Sequence, residues 1–160
     1  MRDFLLAIRI FLLSALPLSA AVAAPPSLER EVLAAVNIER ARHEVPPVLP
    51  LRELNVLARR HSAYLYRAGT LSHEDERGRD AAERVEAAGL AYSRVGENVA
   101  MNQNAANPAE EVVRGWMNSP EHRANILDPQ FTHVGTGVHG RDGNYYFTQI
   151  FFTPSGAGPR

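Results

Sequence analysis

Apolar residues recur at helical spacing in the first half of the chain and at alternate positions in its last third. The helical spacing predicts a helix from Leu28 to about His43 and a second from Leu51 to Ala68, ended by Gly69. A short third helix is expected from about Arg79 to Ala88. The prolines between Val45 and Pro50 force an extended connection between the first two helices.

Three polar residues mark predicted helix starts, because each is of a type that favours the N-cap position. Ser27 precedes the first helix, and Asn107-Pro108 opens a fourth helix that extends to Met117. Ser119-Pro120 opens a short fifth helix that reaches Asn125 or Ile126. The N-cap is the simplest role for Ser119.

The periodicity changes to two residues near the C-terminus, which is typical of β-strands. Strands are predicted from Phe131 to Val138 and from Tyr145 to Phe152, joined by a type I′ turn at Asp142-Gly143. Residues Tyr92 to Asn104 are predicted to be irregular, with one extended piece near Glu97 to Met101. Helices first and an antiparallel hairpin last predict an α+β fold in which helices cover the sheet.

A two-residue turn fixes which residues of the predicted hairpin face each other. His139 then lies opposite Tyr146, and Gly137 lies opposite Thr148. In this register one face of the hairpin carries His133, Gly135, Gly137, His139, Tyr146 and Thr148. The glycines would let a neighbouring side chain or a ligand approach the backbone, whereas a slip of one residue would remove the grouping.

The N-terminal segment has the organisation of a secretory signal peptide. Arg2 precedes an apolar run, and the small residues of Ala21-Val22-Ala23 predict cleavage after Ala23. The alternative is an uncleaved anchor, although the run is short for a membrane span. We therefore expect a signal peptide at 1–23, a leader at 24–27, one domain at 28–153 and a disordered tail at 154–160. Export to the periplasm or the extracellular space follows from this assignment.

Composition narrows the functional classes. The formal net charge is −1, and the chain contains no cysteine. A nearly balanced charge gives no indication of nucleic-acid binding, and without cysteine the fold depends on packing rather than on disulfides. We expect a monomer with no transmembrane segment after cleavage, and a core that includes Trp116, Phe131, Phe147 and Phe151.

Four local patterns occur in a characteristic order. They are Ser72-His73-Glu74-Asp75, then Gly96-Glu97-Asn98-Val99-Ala100, then Trp116 to Leu127, and finally Phe131 to Val138 with Tyr145-Tyr146-Phe147-Thr148-Gln149. In order and spacing they resemble the CAP superfamily of cysteine-rich secretory proteins, antigen 5 and pathogenesis-related proteins. The chain looks most similar to the cysteine-free bacterial branch. The resemblance covers Leu28 to Thr153 and implies an α-β-α sandwich with a central antiparallel sheet.

The resemblance also implies a cleft, since animal and plant members often carry two His and two Glu there, which can hold a divalent metal. His73 matches the first His, and Glu97 matches the Glu of the Gly-Glu-Asn motif. Ser119 and Tyr146 stand where the second Glu and the second His would be, so half of the tetrad is missing. His122 is a candidate replacement, which makes His73, Glu97 and His122 the candidate ligands of a zinc-type site.

The residues leave three functions open. The first, which we expect, is a non-enzymatic module with a cleft formed by His73, Glu97, His122, Tyr146 and Ser119; the resemblance implies a lipid, a cell-wall polymer or a protein as its ligand. A hydrolase that uses Ser72 or Ser119 with His73 and Glu97 is an alternative, although the Gly-x-Ser-x-Gly elbow is absent. A purely structural module with a vestigial cleft is the third. Glu97 has two interpretations: it is a ligand, or it is a structural carboxylate that accepts hydrogen bonds from backbone N–H groups. The structural interpretation is at least as good.

Overall fold

The computed structural model describes residues 27–156. The predicted signal peptide and the last residues of the predicted tail lie outside this range. In the described part, helices and strands follow one another as α1 Leu28–Arg42, β1 Leu49–Pro50, α2 Arg52–Ala68, α3 Ala81–Ala87, β2 Tyr92–Gln103, α4 Pro108–Met117, α5 Pro120–Leu127, β3 His133–Arg141 and β4 Asn144–Pro154.

The helices lie close to their predicted positions, but their N-termini are held differently. Ser27, Asn107 and Ser119 occupy the N-cap positions of α1, α4 and α5, and none of them makes a side-chain capping hydrogen bond. The predicted N-cap positions are therefore confirmed, but each of the three residues contributes its backbone carbonyl, which accepts from the first turn, and not its side chain. Asp80 and Glu83 instead form an unpredicted reciprocal capping box at α3.

The prediction of an irregular segment before α4 was wrong, apart from the extended piece expected near Glu97 to Met101. Tyr92–Gln103 is one strand, β2, which pairs antiparallel with β4 along its whole length apart from an irregularity near Arg94. Its sequence shows little apolar alternation because Glu97, Asn98 and Asn102 are polar and nevertheless buried. Glu97 and Asn98 are hydrogen-bonded inside the protein, and Asn102 donates to the Pro108 carbonyl, so polarity here does not indicate a loop.

The four strands form one sheet in the order β1-β3-β4-β2. The hairpin register is confirmed, because His139 pairs with Tyr146 and Gly137 with Thr148. Asp142 and Gly143 have φ values of 53° and 80°, as a type I′ turn requires. The short strand β1 pairs parallel with β3, so the sheet is antiparallel except at that edge.

Helices cover both faces of the sheet, which makes the α-β-α sandwich. On one face, residues of α1, α4 and α5 pack with Phe131, Phe147, Phe151 and Trp116, as the sequence predicts. On the other face α2 lies unusually close to β3, since a Cβ on Gly137 would come within 2.2 Å of the Ala58 carbonyl carbon. The space that the hairpin glycines leave is therefore filled by the backbone of α2 and not by a ligand.

None of the helices within residues 27–156 has the length and apolar character needed to cross a bilayer.

Candidate functional site: a buried carboxylate cluster beside an apolar groove

Glu97 lies at the centre of a cluster of charged side chains on the α2 face of the sheet. It pairs with Ile150 of β4, and its side chain is only 3 % exposed. A carboxylate taken out of water is costly unless it is paired and hydrogen-bonded. The neighbours of Glu97 therefore decide what this residue can do.

Both carboxylate oxygens of Glu97 are already bonded. His73 Nδ1 donates to Oε1 at 3.0 Å, and the Arg84 guanidinium donates to Oε2. His61 Nε2 lies 3.9 Å from Oε1. Each oxygen of the carboxylate therefore already accepts a hydrogen bond from a protein side chain.

Arg84 reaches the cluster from α3 and organises the loop before that helix. Its side chain is 5 % exposed, and its other terminal nitrogen donates to the carbonyls of His73 at 2.9 Å and Arg79 at 3.1 Å. The capping box that starts α3 positions this arginine. Arg84 thus joins the loop that carries His73 to the strand that carries Glu97.

His73 presents the exposed side of the cluster. Its side chain is 56 % exposed, and the hydrogen bond to Glu97 is the main cause that raises its pKa. Since a carboxylate only accepts hydrogen bonds, Nδ1 of His73 carries the proton. Its Nε2 atom is then the nitrogen free to act towards solvent.

The Gly-Glu-Asn motif, Gly96 to Asn98, also attaches α5 to the sheet. A Cβ on Gly96 would lie 2.8 Å from Asn125 Oδ1, so the motif's glycine makes room for α5. Asn98 is fully buried; it donates to the His122 carbonyl at 3.1 Å and accepts from Asn125 at 2.9 Å. Asn125 also donates to the Glu97 carbonyl at 3.2 Å. These bonds attach α5 to β2, an edge strand that would otherwise expose unpaired carbonyls.

An apolar groove of about 420 Å³ runs along the same edge of β2. Residues from the loop after α2, from β2 and from α4 line it, namely Leu71, Val99, Ala100, Met101, Asn102, Glu111, Val112, Gly115, Trp116, Ser119 and His122. Trp116 forms the floor and donates from Nε1 to the Val99 carbonyl at 3.3 Å. Leu71 and Met101 stand at its mouth with 47 % and 37 % of their surface exposed. The volume and the apolar lining are typical of small-molecule sites, roughly 300–1,000 Å³.

His122 connects the groove with the cluster. It lines the groove, and its pKa is lowered by burial and then by the positive charge of nearby His73. The two imidazoles therefore lie close enough to influence each other, and His73 takes up a proton first. Because its pKa is lowered, His122 offers a neutral imidazole to this end of the groove at neutral pH.

The structure separates the predicted site residues into two groups. Ser119 and His122 lie in the groove, and His73 and Glu97 form the adjoining cluster. Tyr146 is 5 % exposed and packs edge-to-face on Tyr66 at 5.9 Å. It belongs to the core behind Val99 and does not line the groove.

The serines near the cluster lack the geometry of an activated nucleophile. Ser72 Oγ accepts from the backbone N–H of Glu74 at 2.9 Å. Across residues 27–156, the side chains of Ser72 and Ser119 make no hydrogen bond to His73 or His122. Nucleophilic catalysis needs the hydroxyl within reach of its base.

Glu97 does not fit the role of a direct metal ligand. Arg84 already neutralises it, and a cation beside that guanidinium would be repelled. No group of three or more His, Asp or Glu side chains within the described part of the chain is arranged to hold a metal ion. What fits is a pair of imidazoles, His73 and His122, with Glu97 as the carboxylate that orients His73.

Sequence reasoning missed three residues that build this site. Arg84 and His61 are buried, at 5 % and 2 % exposure, and Asn125 links Glu97 to Asn98. His61 falls on the same face of α2 as Leu54, Ala58 and Leu65 by helical spacing, and that spacing is the signal that the sequence offers. Nothing in the sequence marked Arg84 among many arginines, because its role depends on the capping box before α3.

Comparison with known proteins shows what this arrangement resembles. The model of the cysteine-rich secretory protein family, CAP, matches residues 33–151. The chain is 34 % identical over 109 residues to protein YkwD of Bacillus subtilis, an alignment that covers 68 % of this chain and 41 % of that protein. It is 29 % identical over 123 residues to membrane protein YlbC of the same organism, covering 77 % and 34 %. The chain thus spans less than half the length of these relatives.

Solved structures share the fold. An extracellular protein of Bacillus anthracis that contains an SCP domain superposes with a TM-score of 0.69 at 26 % identity, covering 82 % of this chain and 45 % of that one. An outer surface protein of Borrelia burgdorferi superposes with a TM-score of 0.71 at 16 % identity, covering 81 % and 97 %. The second likeness concerns the fold alone.

Proposed function

Because this chain belongs to the cysteine-rich secretory protein (CAP) family, in its cysteine-free bacterial form, we propose that it is an exported, non-enzymatic binding module. Its ligand carries an apolar group that enters the groove along β2. The same ligand carries a polar group that bonds to His122 and Ser119 at the end of the groove. A lipid or a lipid-linked cell-wall component has this chemistry.

One observation supports binding over catalysis. The one carboxylate of the cluster, Glu97, is held by both Arg84 and His73. The open, apolar space lies beside them and has a polar end. An arrangement in which the charges are fixed and the groove is open favours holding a molecule over transforming it.

Export is part of the proposal. The signal-like N-terminus predicts it, and the similar Bacillus anthracis protein is described as extracellular. The chain contains no cysteine, so it has no thiol that an oxidising compartment outside the cytoplasm could oxidise.

Gly115 gives the proposal a direct test. It lies on α4 in the wall of the groove, and a Cβ there would meet no atom within 4 Å. Gly115→Leu should therefore fill the groove without displacing the helix. Gly115→Ala is the matched control, because it makes the same backbone change and occupies little space. Both changes should stabilise α4 by about 0.5–1 kcal/mol, since glycine is a poor helix former.

The probe is the neutral dye N-phenyl-1-naphthylamine, which becomes fluorescent in apolar sites. Trp116 is the chain's single tryptophan, so energy transfer from it reports on dye in the groove. We expect saturable binding with energy transfer for the unmodified protein and for Gly115→Ala, and at least tenfold weaker binding for Gly115→Leu. Equal binding by all of them would show that the groove is not the site.

A metal-assisted form of the same site is the second candidate. Its support is the electrostatic coupling between His73 and His122, together with the hydrogen bond by which Glu97 orients His73. These two imidazoles would hold a zinc-type ion, which when bound would supply a Lewis acid at the end of the groove. His73 and His122 must be neutral to ligate, so binding would weaken in acid.

A further inference from the structure

A second cavity lies on the other side of the carboxylate cluster, away from the groove. It has a volume of about 500 Å³ and is enclosed by α2, α3 and the loop that joins them. Its walls carry the arginines Arg60, Arg67, Arg77, Arg79 and Arg84, and the remaining lining residues are Leu57, His61, Ala63, Asp75, Glu76, Ala87 and Ala88. No residue of this cavity lines the groove proposed above as the apolar site.

The cavity has an excess of positive charge. Asp75 is paired with Arg79 at 2.8 Å, and Arg84 is paired with Glu97. Arg60, Arg67 and Arg77 line the same space, and none of them forms an ion pair with another residue between 27 and 156. Glu76 is then the remaining acidic residue in the wall. A concave surface with unbalanced arginines attracts anions.

The positions of the arginines on α2 are set by the sequence. Arg60 and Arg67 are seven residues apart, and together with Ala63 they form one stripe along the helix. The small side chain of Ala63 leaves the space between the two arginines open. Guanidinium groups bind carboxylate and phosphate through paired N–H bonds, so this stripe suits either anion.

Two buried polar atoms, on side chains that line this cavity, have no hydrogen-bond partner among residues 27–156. They are Arg84 Nε and His61 Nδ1, on side chains whose residues are 5 % and 2 % exposed. Arg84 Nε–H is a donor. His61 donates through Nε2 to the Ser72 carbonyl at 2.9 Å, so Nδ1 of the neutral ring is an acceptor. Buried polar atoms are almost always satisfied, and an unsatisfied donor and acceptor at one cavity indicate a missing group that offers both functions.

We propose that this cavity binds an anionic sugar, whose phosphate or carboxylate pairs with Arg60 and Arg67 and whose hydroxyl groups satisfy Arg84 Nε and His61 Nδ1. A hydroxyl both accepts and donates a hydrogen bond, which matches the two unpartnered atoms. Inorganic phosphate at neutral pH also carries a P–O–H donor, so it differs from an anionic sugar in lacking the several further hydroxyl groups that can reach Arg84 Nε and His61 Nδ1 while the charged group pairs with the arginines. This cavity shares no lining residue with the groove, so the sugar site and the proposed binding function are tested separately.

Calorimetric titration of the folded protein tests the proposal with defined probes. These are glucose 6-phosphate and glucuronate as phosphate and carboxylate sugars, with inorganic phosphate and glucose as their separated parts. We expect saturable binding of at least one anionic sugar, at least tenfold tighter than inorganic phosphate or glucose. The stronger of the two sugar anions identifies which charged group the site prefers. Binding should weaken as salt is raised, since exposed arginines at the rim are screened.

Variants locate the site. Arg60→Gln and Arg67→Gln should each weaken sugar binding at least tenfold, whereas Arg52→Gln, an exposed arginine on the same helix outside the cavity, should leave it unchanged. Gly115→Leu should also leave it unchanged, because Gly115 lies in the groove. Absence of saturable binding by both sugars would overturn the proposal. So would phosphate binding as tight as sugar binding, or sugar binding that persists in Arg60→Gln and Arg67→Gln.

Discussion

Replacing Glu97 by Gln should destabilise the protein strongly while leaving its shape almost unchanged. The side chains of Glu97 and Arg84 are only 3 % and 5 % exposed, so the substitution leaves a buried guanidinium without its counter-ion. Removing one partner of a buried ion pair costs about 3–5 kcal/mol. Glutamine keeps the volume and one acceptor oxygen, so we expect the lower end, about 3 kcal/mol, out of a total stability of roughly 5–15 kcal/mol.

A double-mutant cycle separates the pair from its surroundings. Arg84→Met alone should also be costly, because it leaves the carboxylate buried beside His73 only. The double variant Glu97→Gln/Arg84→Met contains neither charge and should be less destabilised than the sum of the single changes by about 2–3 kcal/mol. Glu121→Gln, an exposed glutamate near the same site, is the control and should change stability by less than about 0.5 kcal/mol.

Urea unfolding measures the free energies, and NMR titration of the imidazoles gives a second readout. The hydrogen bond from Glu97 is the main cause that raises the pKa of His73. In Glu97→Gln the pKa of His73 should therefore fall towards its ordinary value of about 6.5. A cost below about 1 kcal/mol for Glu97→Gln, with the pKa of His73 unchanged, would refute the buried pair as the organiser of the cluster.

Three further predictions concern packing, acid stability and metal. Gly137→Ala should lower the free energy of unfolding in urea by about 3 kcal/mol or more. The reason is that the new Cβ would come within 2.2 Å of the Ala58 carbonyl carbon, so that α2 would have to move. A loss below about 1 kcal/mol would contradict the close packing. Burial raises the pKa of Asp75, but hydrogen bonds from Arg79 outweigh it and lower the pKa to about 2. The ionised Asp75 side chain therefore contributes its full stabilisation above the unfolded-state pKa of about 4, and this contribution is lost as the pH falls through about 2. Asp75→Asn should then lower the free energy of unfolding by about 1–2 kcal/mol at pH 6 and by almost nothing near pH 2. A loss of stability that does not depend on pH would contradict this. If His73 and His122 ligate a metal, calorimetric titration at neutral pH should show zinc binding with 1:1 stoichiometry, and His73→Ala should abolish it. Equal binding by both proteins would exclude these two residues as ligands.

The layers of the fold could be predicted because they depend on local signals. Helical periodicity placed α1, α2 and α4 within a residue or two, and Asp142-Gly143 fixed the hairpin register. Only the extended piece near Glu97 to Met101 was predicted of strand β2, because its buried residues include polar ones whose partners lie on α4 and α5. The parallel pairing of β1 was also missed, since two residues between prolines carry no strand pattern.

The candidate site was predictable only in part. The family resemblance pointed to His73 and Glu97, and the structure brings them to 3.0 Å. Arg84 decides what Glu97 can do, yet its contact depends on how α3 docks and on its capping box. The groove likewise depends on the packing of α4 against an edge strand, which no single stretch of sequence encodes.

Contact quenching of Trp116 tests the proposed binding function most directly. The single tryptophan forms the floor of the groove, and bromine quenches tryptophan fluorescence only when the two are close. The protein is titrated with a brominated fatty alcohol and, separately, with its unbrominated parent. We expect saturable quenching by the brominated compound alone, relieved by the parent in competition and lost in Gly115→Leu. Binding of the brominated compound without quenching of Trp116 would contradict it, because the apolar ligand would then lie elsewhere.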